Sequence, residues 1–202
     1  MTEEGTTSTS KRILEAAITC IEKDGIENLT TRRIAEEAGT NIASINYYFR
    51  TKDRLVAEAL SMTLQHMLDD IYEWIDKPGL SFIDALEEVF FYLIDGGLRF
   101  PRIIMAHMYA FLVEKNYDTP AVSAMHEIFE RLVRRAVNEL PDVKEQDVRM
   151  ALSQVVASVF FFTLSPDFFR PVSELDLSQP KMRKQLAGYM TRVFLQNLKV
   201  PG

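Results

Sequence analysis

An all-α chain of about nine helices is predicted, with an N-terminal three-helix head that contains a helix-turn-helix and a larger C-terminal helical body. Three observations carry this reading. Apolar residues recur at helical spacing through most of the 202 residues. No stretch shows a sustained strand-type alternation. Gly and Pro fall where helices would have to stop.

Residues 1–9 are rich in Thr, Ser and Gly and read as a disordered leader. They lack the basic and apolar regions of a signal peptide. Ser10 can cap a helix over about 11–24, with Ile13, Leu14, Ala17, Cys20 and Ile21 facing inward and Gly25 ending it. Ile26 and Leu29 pin the link to the next two helices. Thr30 or Thr31 can cap the first of these, whose inward face is Ile34, Ala35 and Ala38. Gly39 suits a left-handed C-cap, which only Gly adopts without a Cβ penalty. Thr40 and Asn41 can cap the second, where Ile45 and Phe49 face inward. A fourth helix over about 52–76 stops at Pro78–Gly79. Five more follow over about 81–96, 100–115, 119–139, 145–164 and 180–198. Their breaks are Gly96–Gly97, Asn116 to Pro120, Leu140–Pro141 and the segment from Ser165 to Pro180. Pro101 and Pro120 suit helix first turns. The expected organisation is a leader at 1–9, a head at 10–55 and a body at 56–202.

Ser44, Asn46, Tyr47 and Tyr48 crowd the outer face of the second short helix, where a solvated helix prefers Lys and Glu. They fit a surface that meets something else, and the geometry points to the DNA major groove. Arg50, Lys52 and Arg54 follow. Lys52 falls at a helix N-terminus, where the dipole disfavours a cation unless an anion such as phosphate lies nearby. The net charge of −6 argues against nucleic acid until its distribution is read. Residues 30–54 carry Arg32, Arg33, Arg50, Lys52 and Arg54 against Glu36, Glu37 and Asp53. An acidic body with a basic head binds DNA through the head alone, with modest and salt-steep non-specific affinity.

The pattern T-x-R-x-I-A-x-x-A-G, then Y-Y-F, then x-x-K-x-x-L resembles the DNA-binding domain of the TetR family of bacterial transcriptional regulators. It is carried by Thr31, Arg33, Ile34, Ala35, Ala38, Gly39, Asn46, Tyr47, Tyr48, Phe49, Lys52 and Leu55. The resemblance covers about the first 55 residues. The family often has Gly at the position of Ala43, Tyr at that of Asn46 and an apolar residue at that of Thr40. Asn bidentate on adenine is a standard major-groove contact, so Asn46 is a candidate base reader. The expected roles are phosphate contacts by Thr31, Arg32, Tyr48 and Lys52, with Ala43, Ser44, Asn46 and Tyr47 on base edges or the groove wall. The expected DNA is a double-stranded operator.

Hydrophobic content of 47% and charged content of 26% are ordinary for a soluble globular chain. One cysteine excludes an internal disulfide framework and fits a cytoplasmic protein, and Cys20 reads as a packing residue. No apolar run approaches the roughly 18 residues that span a membrane, so no membrane partner is expected. No Ser-His-Asp set, HExxH or CxxC is present, so no catalytic residue and no cofactor is assigned and the chain does not read as an enzyme. His66, His107 and His126 are too far apart for a metal motif.

Helices 81–96 and 100–115 are dense in aromatic and sulfur side chains, which serve both packed cores and adaptable pockets. The family resemblance implies a small-molecule pocket here. The candidate contacts are His66, Trp74, Phe91, Arg99, His107, Met108 and Phe111. Val148, Leu152, Val155, Val159 and Phe162 form one apolar stripe, and Met182, Leu186, Tyr189, Val193 and Phe194 another. The resemblance implies a homodimer that pairs helices 145–164 and 180–198 into a four-helix bundle. Two heads about 34–36 Å apart could then engage successive major grooves. The segment 165–180 covers either a pocket mouth or the dimer seam. Repression by release of a small apolar or amphipathic effector is the expected mechanism, and activation stays open.

Overall fold

A computed structural model describes residues 3–140 and 142–198. Among them are ten α-helices, one 3-10 turn and no strand. The chain divides into two compact units, residues 1–67 with 102–121, and residues 68–101 with 122–202.

The first unit opens on α1 (Glu3–Asp24), a 3-10 turn (Ile26–Asn28), α2 (Thr31–Glu37) and α3 (Ile42–Phe49). The first half of α4 (Lys52–Ile75) and α6 (Pro101–Leu112) complete it. Helix α1 starts at Glu3, so Ser10 lies inside it and does not cap it, and the leader is helical from Glu3. Met1 and Thr2 lie outside the described residues. The core holds Ile13, Ala17, Cys20, Ile21, Ile34, Ile45, Phe49 and Leu55, all essentially without exposure. Ile103 of α6 joins it, with Ala106 packed alongside. Two bonds fasten α6 to the end of α1. The Ile103 amide donates to Glu22 Oε2 at 3.1 Å, and Arg102 Nη1 donates to the Lys23 carbonyl at 2.7 Å.

The second unit holds the end of α4, α5 (Phe82–Arg99), α7 (Pro120–Glu139) from residue 122, α8 (Glu145–Leu164), α9 (Arg170–Ser173) and α10 (Pro180–Leu198). Helices α5, α8 and α10 pack on one another. Phe82 and Phe194 meet with ring centroids 5.9 Å apart. Arg183 of α10 pairs with Asp95 of α5 at 2.9 Å, both largely buried. Arg135 and Glu139 of α7 tie α4 to α5. Arg135 donates to the carbonyls of Ile75 and Leu80 and pairs with Glu139, which accepts from the Phe82 amide at 2.7 Å. A cation thus meets the C-terminal end of α4 and an anion the N-terminal end of α5, each on its favoured dipole.

Four expectations need correction. Gly96–Gly97 does not break a helix, because α5 runs on to Arg99. Gly97 is there for close approach: a Cβ on it would lie 2.7 Å from Thr163 Cγ2 of α8. At Gly96 the same atom meets nothing within 4 Å. Gly96→Ala should therefore stabilise by up to about 1 kcal/mol through helix propensity. Gly97→Ala should instead destabilise by about 1–3 kcal/mol through overpacking against the stiff β-branched Thr163. Urea unfolding of the two variants checks this, and equal shifts would refute it.

Second, the stripe of α8 does not face outward. Val148, Leu152, Val155 and Val159 are buried within the unit, as are Leu186 and Phe194 of α10, while Tyr189 is exposed. Third, α8 is long and apolar enough to cross a membrane by length and composition. About a third of that apolar window is buried, through the inward face packed on α5 and α10, while Met150 and Phe161 are exposed. Fourth, the 165–180 segment contains the one-turn helix α9. Pro141, half of the break expected there, lies outside the described residues.

Candidate nucleic-acid interface

Local chemistry sets the angle between α2 and α3. Thr30 caps α2, its hydroxyl oxygen accepting from the Arg33 amide at 3.2 Å. Gly39 follows α2 with φ +58°. Its amide donates to the Glu36 carbonyl at 3.2 Å and the Thr40 amide to the Ala35 carbonyl at 2.9 Å, the paired bonds of a Schellman stop. Asn41 then caps α3, its Oδ1 accepting from the Ser44 amide at 2.8 Å and the Ser44 hydroxyl at 3.2 Å. Arg50 ends α3 at φ +63°, a left-handed backbone uncommon for a non-glycine residue. Thr51 caps α4, accepting from the Arg54 amide at 3.2 Å.

Helix α3 is two-faced as a result. Ile45 and Phe49 are 1% exposed and anchor it, while Ala43, Asn46 and Tyr47 are open and Tyr47 is 73% exposed. Tyr48 is half-buried against the core and meets the Tyr47 ring edge-on at 5.1 Å, which steadies Tyr47 as a projecting group. Thr31 is half-buried in the first turn of α2. Arg32 is exposed and pairs with Glu36 across one helical turn, a contact of little energy that a phosphate can replace.

Two cations have structural work that spacing did not reveal. Arg33 braces α2 on α1 through Asp24 at 3.3 Å and Glu37 at 3.1 Å, with Lys23 on Glu37 at 3.1 Å. The Lys23 bond and these cations hold the Glu37 carboxyl below its ordinary range. Lys52 Nζ donates to the Leu29 carbonyl at 3.2 Å, which helps its ammonium tolerate a helix N-terminus. An ammonium has three donors, so the bond leaves capacity for a phosphate. Cys20 is fully buried, with its thiol toward the Arg33 carbonyl at 3.9 Å, and burial pushes its pKa up.

The effector candidates do not form one cluster. His66, His107, Met108 and Phe111 belong to the first unit, and Trp74, Phe91 and Arg99 to the second. His66 is exposed. Arg99 is exposed and pairs with Asp95 at 2.8 Å. Trp74 lies under the Lys77 ammonium at 4.9 Å. Met108 is buried, and Phe91 and Phe111 half-buried. A cleft of about 860 Å³ in the second unit is lined by the Arg131, Arg134 and Arg135 row and the 75–81 turn, and none of the seven candidates lines it.

His107 has the best-defined surroundings of the seven. Its Nε2 lies 2.8 Å from Thr63 Oγ1, whose own proton goes to the Leu60 carbonyl at 2.8 Å. With that proton on the Leu60 carbonyl, Nε2 carries the hydrogen and Nδ1 is the bare acceptor; a hydroxyl turned toward the ring would reverse the two. Burial pushes the imidazole below its usual pKa range. The ring is neutral in the fold and protonates more readily in the unfolded chain, so the unfolded state binds more protons as pH drops. The stability tied to this group is thus present above about pH 6.5 and lost as pH falls. Thermal unfolding from pH 7 to 5 should show this slope, and His107→Gln should flatten it. An unchanged slope would refute the assignment.

Residues 13–59, the span of α1 to early α4 just described, match the family model for bacterial regulatory proteins of the tetR family. Those residues form a tetR-family DNA-binding domain. The chain is thus a DNA-binding transcriptional regulator, with its helix-turn-helix at α2–α3. The chain is 24% identical over 173 residues to the transcriptional repressor KstR of Rhodococcus jostii strain RHA1, across 83% of this chain and 76% of KstR. Over 66 residues it is 33% identical to the nicotine-responsive transcriptional repressor HdnoR of Paenarthrobacter nicotinovorans, a match spanning about a third of each chain. Its fold superposes on a TetR-family regulator of Mesorhizobium loti MAFF303099 with a TM-score of 0.69 at 15% identity, over 97% of this chain and 98% of that one. Among the described residues no group of three or more His, Cys, Asp or Glu is placed to hold a metal.

Proposed function

We propose that the chain is a cytoplasmic homodimeric repressor that holds a near-palindromic operator and lets go when a small apolar or amphipathic molecule binds its body. The observation that carries this is the open face of α3, Ala43, Ser44, Asn46 and Tyr47, fixed by buried Ile45 and Phe49 and by the Asn41 cap. In this reading residues 10–55 act as the DNA head and 56–202 as the effector and dimerisation body. Thr31, Arg32, Tyr48 and Lys52 hold phosphates. No membrane takes part.

HdnoR, a relative, is nicotine-responsive, and nicotine is small and mostly apolar, which supports an effector of that class. The relevant pocket draws on His107, Met108 and Phe111, with His107 Nδ1 as an acceptor for a donor on the ligand. The mechanism is a population shift: the effector favours a dimer whose heads are too far apart for successive grooves. Moving that equilibrium from mostly competent to mostly incompetent takes about 5.5 kcal/mol of differential binding.

The dimer uses the outward faces of α8 and α10, because their inward stripes are already buried. Fluorescence anisotropy on the DNA upstream of the gene, across a salt series and against a scrambled duplex, tests the core of this reading. Tight, salt-steep binding that prefers the native duplex is expected. Equal weak binding to every upstream duplex would defeat it.

A further inference from the structure

We propose that Arg50 is a further DNA-positioning residue, whose guanidinium grips a backbone phosphate just past the C-terminal end of the reading helix α3. The proposal rests on the DNA-reading head described above. Two independent observations carry it, an uncommitted charge and a strained backbone.

Residues 30–54 hold five cations, and four of them are engaged. Arg32 pairs with Glu36, Arg33 with Asp24 and Glu37, and Arg54 with Glu58 at 2.8 Å. Lys52 donates to the Leu29 carbonyl. Arg50 is exposed, and among the described residues no carboxylate or carbonyl holds its guanidinium. A bare arginine on a surface is ordinary by itself, and its backbone is what sets this one apart.

Arg50 has φ +63° and ψ −47°, and the Thr51 amide reaches across it to the Phe49 carbonyl at 2.7 Å. This is the γ-turn of positive φ, which is rare and strained, whereas its mirror image is common. Glu174, another non-glycine residue of positive φ, has ψ +18° and lies near the ordinary left-handed well. Arg50 lies outside that well. Glycine accepts such a backbone without a Cβ penalty. From α1 to α4 the other two positive-φ positions are glycines, Gly25 and Gly39. Only the turn between α3 and α4 carries a side chain. Strained residues cluster where function, not stability, needs them.

The location says what the charge meets. The Arg50 amide donates to the Asn46 carbonyl at 3.1 Å, so Arg50 stands one helical turn beyond an exposed residue of the reading face. A recognition helix contacts bases mainly from its N-terminal residues, so a cation past its other end meets the sugar-phosphate backbone. A guanidinium grips phosphate oxygens with two parallel N–H bonds. The α3 dipole alone would also favour a cation here, and that role predicts a different result.

Fluorescence anisotropy of the full chain on the upstream duplex and its scrambled version, across a salt series, is paired with thermal unfolding of Arg50→Gly, Arg50→Ala and Arg50→Lys. Arg50→Gly should melt above Arg50→Ala, because glycine relieves the turn and neither keeps the charge. Both should bind the two duplexes about tenfold more weakly than native. Their salt slope should fall by about one unit for each bound head, and Arg50→Lys should keep it. Binding by Arg50→Gly within about twofold of native at an unchanged slope overturns the proposal and leaves Arg50 serving the dipole. So does Arg50→Gly melting below Arg50→Ala, which would mean that the turn is not strained. A loss confined to the upstream duplex overturns it too, since Arg50 would then read a base. In each of these cases the DNA-reading head stands. A native chain that binds neither duplex at low salt defeats the head reading itself, and the proposal with it.

Discussion

Asn46→Ala will weaken binding to the native operator while leaving affinity for a scrambled duplex unchanged. A good bidentate contact between an amide side chain and adenine is worth about 1–3 kcal/mol of discrimination, or roughly 5- to 150-fold. Asn46 is exposed on α3, away from the buried Ile45 and Phe49. Helix α3 itself does not depend on it, because its capping residue is Asn41. Losses of equal size on both duplexes would show that Asn46 touches backbone instead of a base. Arg32→Ala provides the contrast. It should weaken all sequences alike and lower the salt slope by about one unit. The Glu36 pair that it also removes is exposed and costs little.

Arg135→Met is expected to have the largest effect on stability. The guanidinium is 14% exposed and serves the Ile75 and Leu80 carbonyls as well as Glu139. Removing it strands one carbonyl at the end of α4 and one in the turn before α5, and leaves Glu139 without its cation. Breaking a mostly buried pair of this kind costs about 3–5 kcal/mol. For a chain of this length each kcal/mol shifts the melting temperature by about 2–4 °C, so a drop on the order of 6–20 °C is expected. Methionine keeps the apolar stem, which isolates the charge and its bonds. A shift under about two degrees would mean that water satisfies those carbonyls.

The head was readable because its signals are local. A threonine cap, a glycine stop and an asparagine cap lie within a dozen residues, and each is used as its chemistry predicts. The long-range partners were not readable. Helical spacing shows that α8 has an apolar face, but not that the face belongs to α5 and α10 of the same chain. Gly97 looks like a breaker until Thr163, far along the sequence, is seen against it. Thr63 and His107 are 44 positions apart, and no motif encodes the bond between them. Lys52 was singled out for its place at a helix start, yet its carbonyl partner on Leu29 lies 23 residues back.

The bonds from Glu22 and Lys23 to the start of α6 bear on how such regulators can be cut and recombined. Ile103 and Ala106 are part of the same apolar core as α1 to α3, although they come more than fifty residues after α3 in the chain. A fragment ending at α4 would lack a wall of its own interior and expose the site where α6 sits. A graft of this head onto another body should carry α6 with it, or replace Ile103 and Arg102 by matching residues on the host.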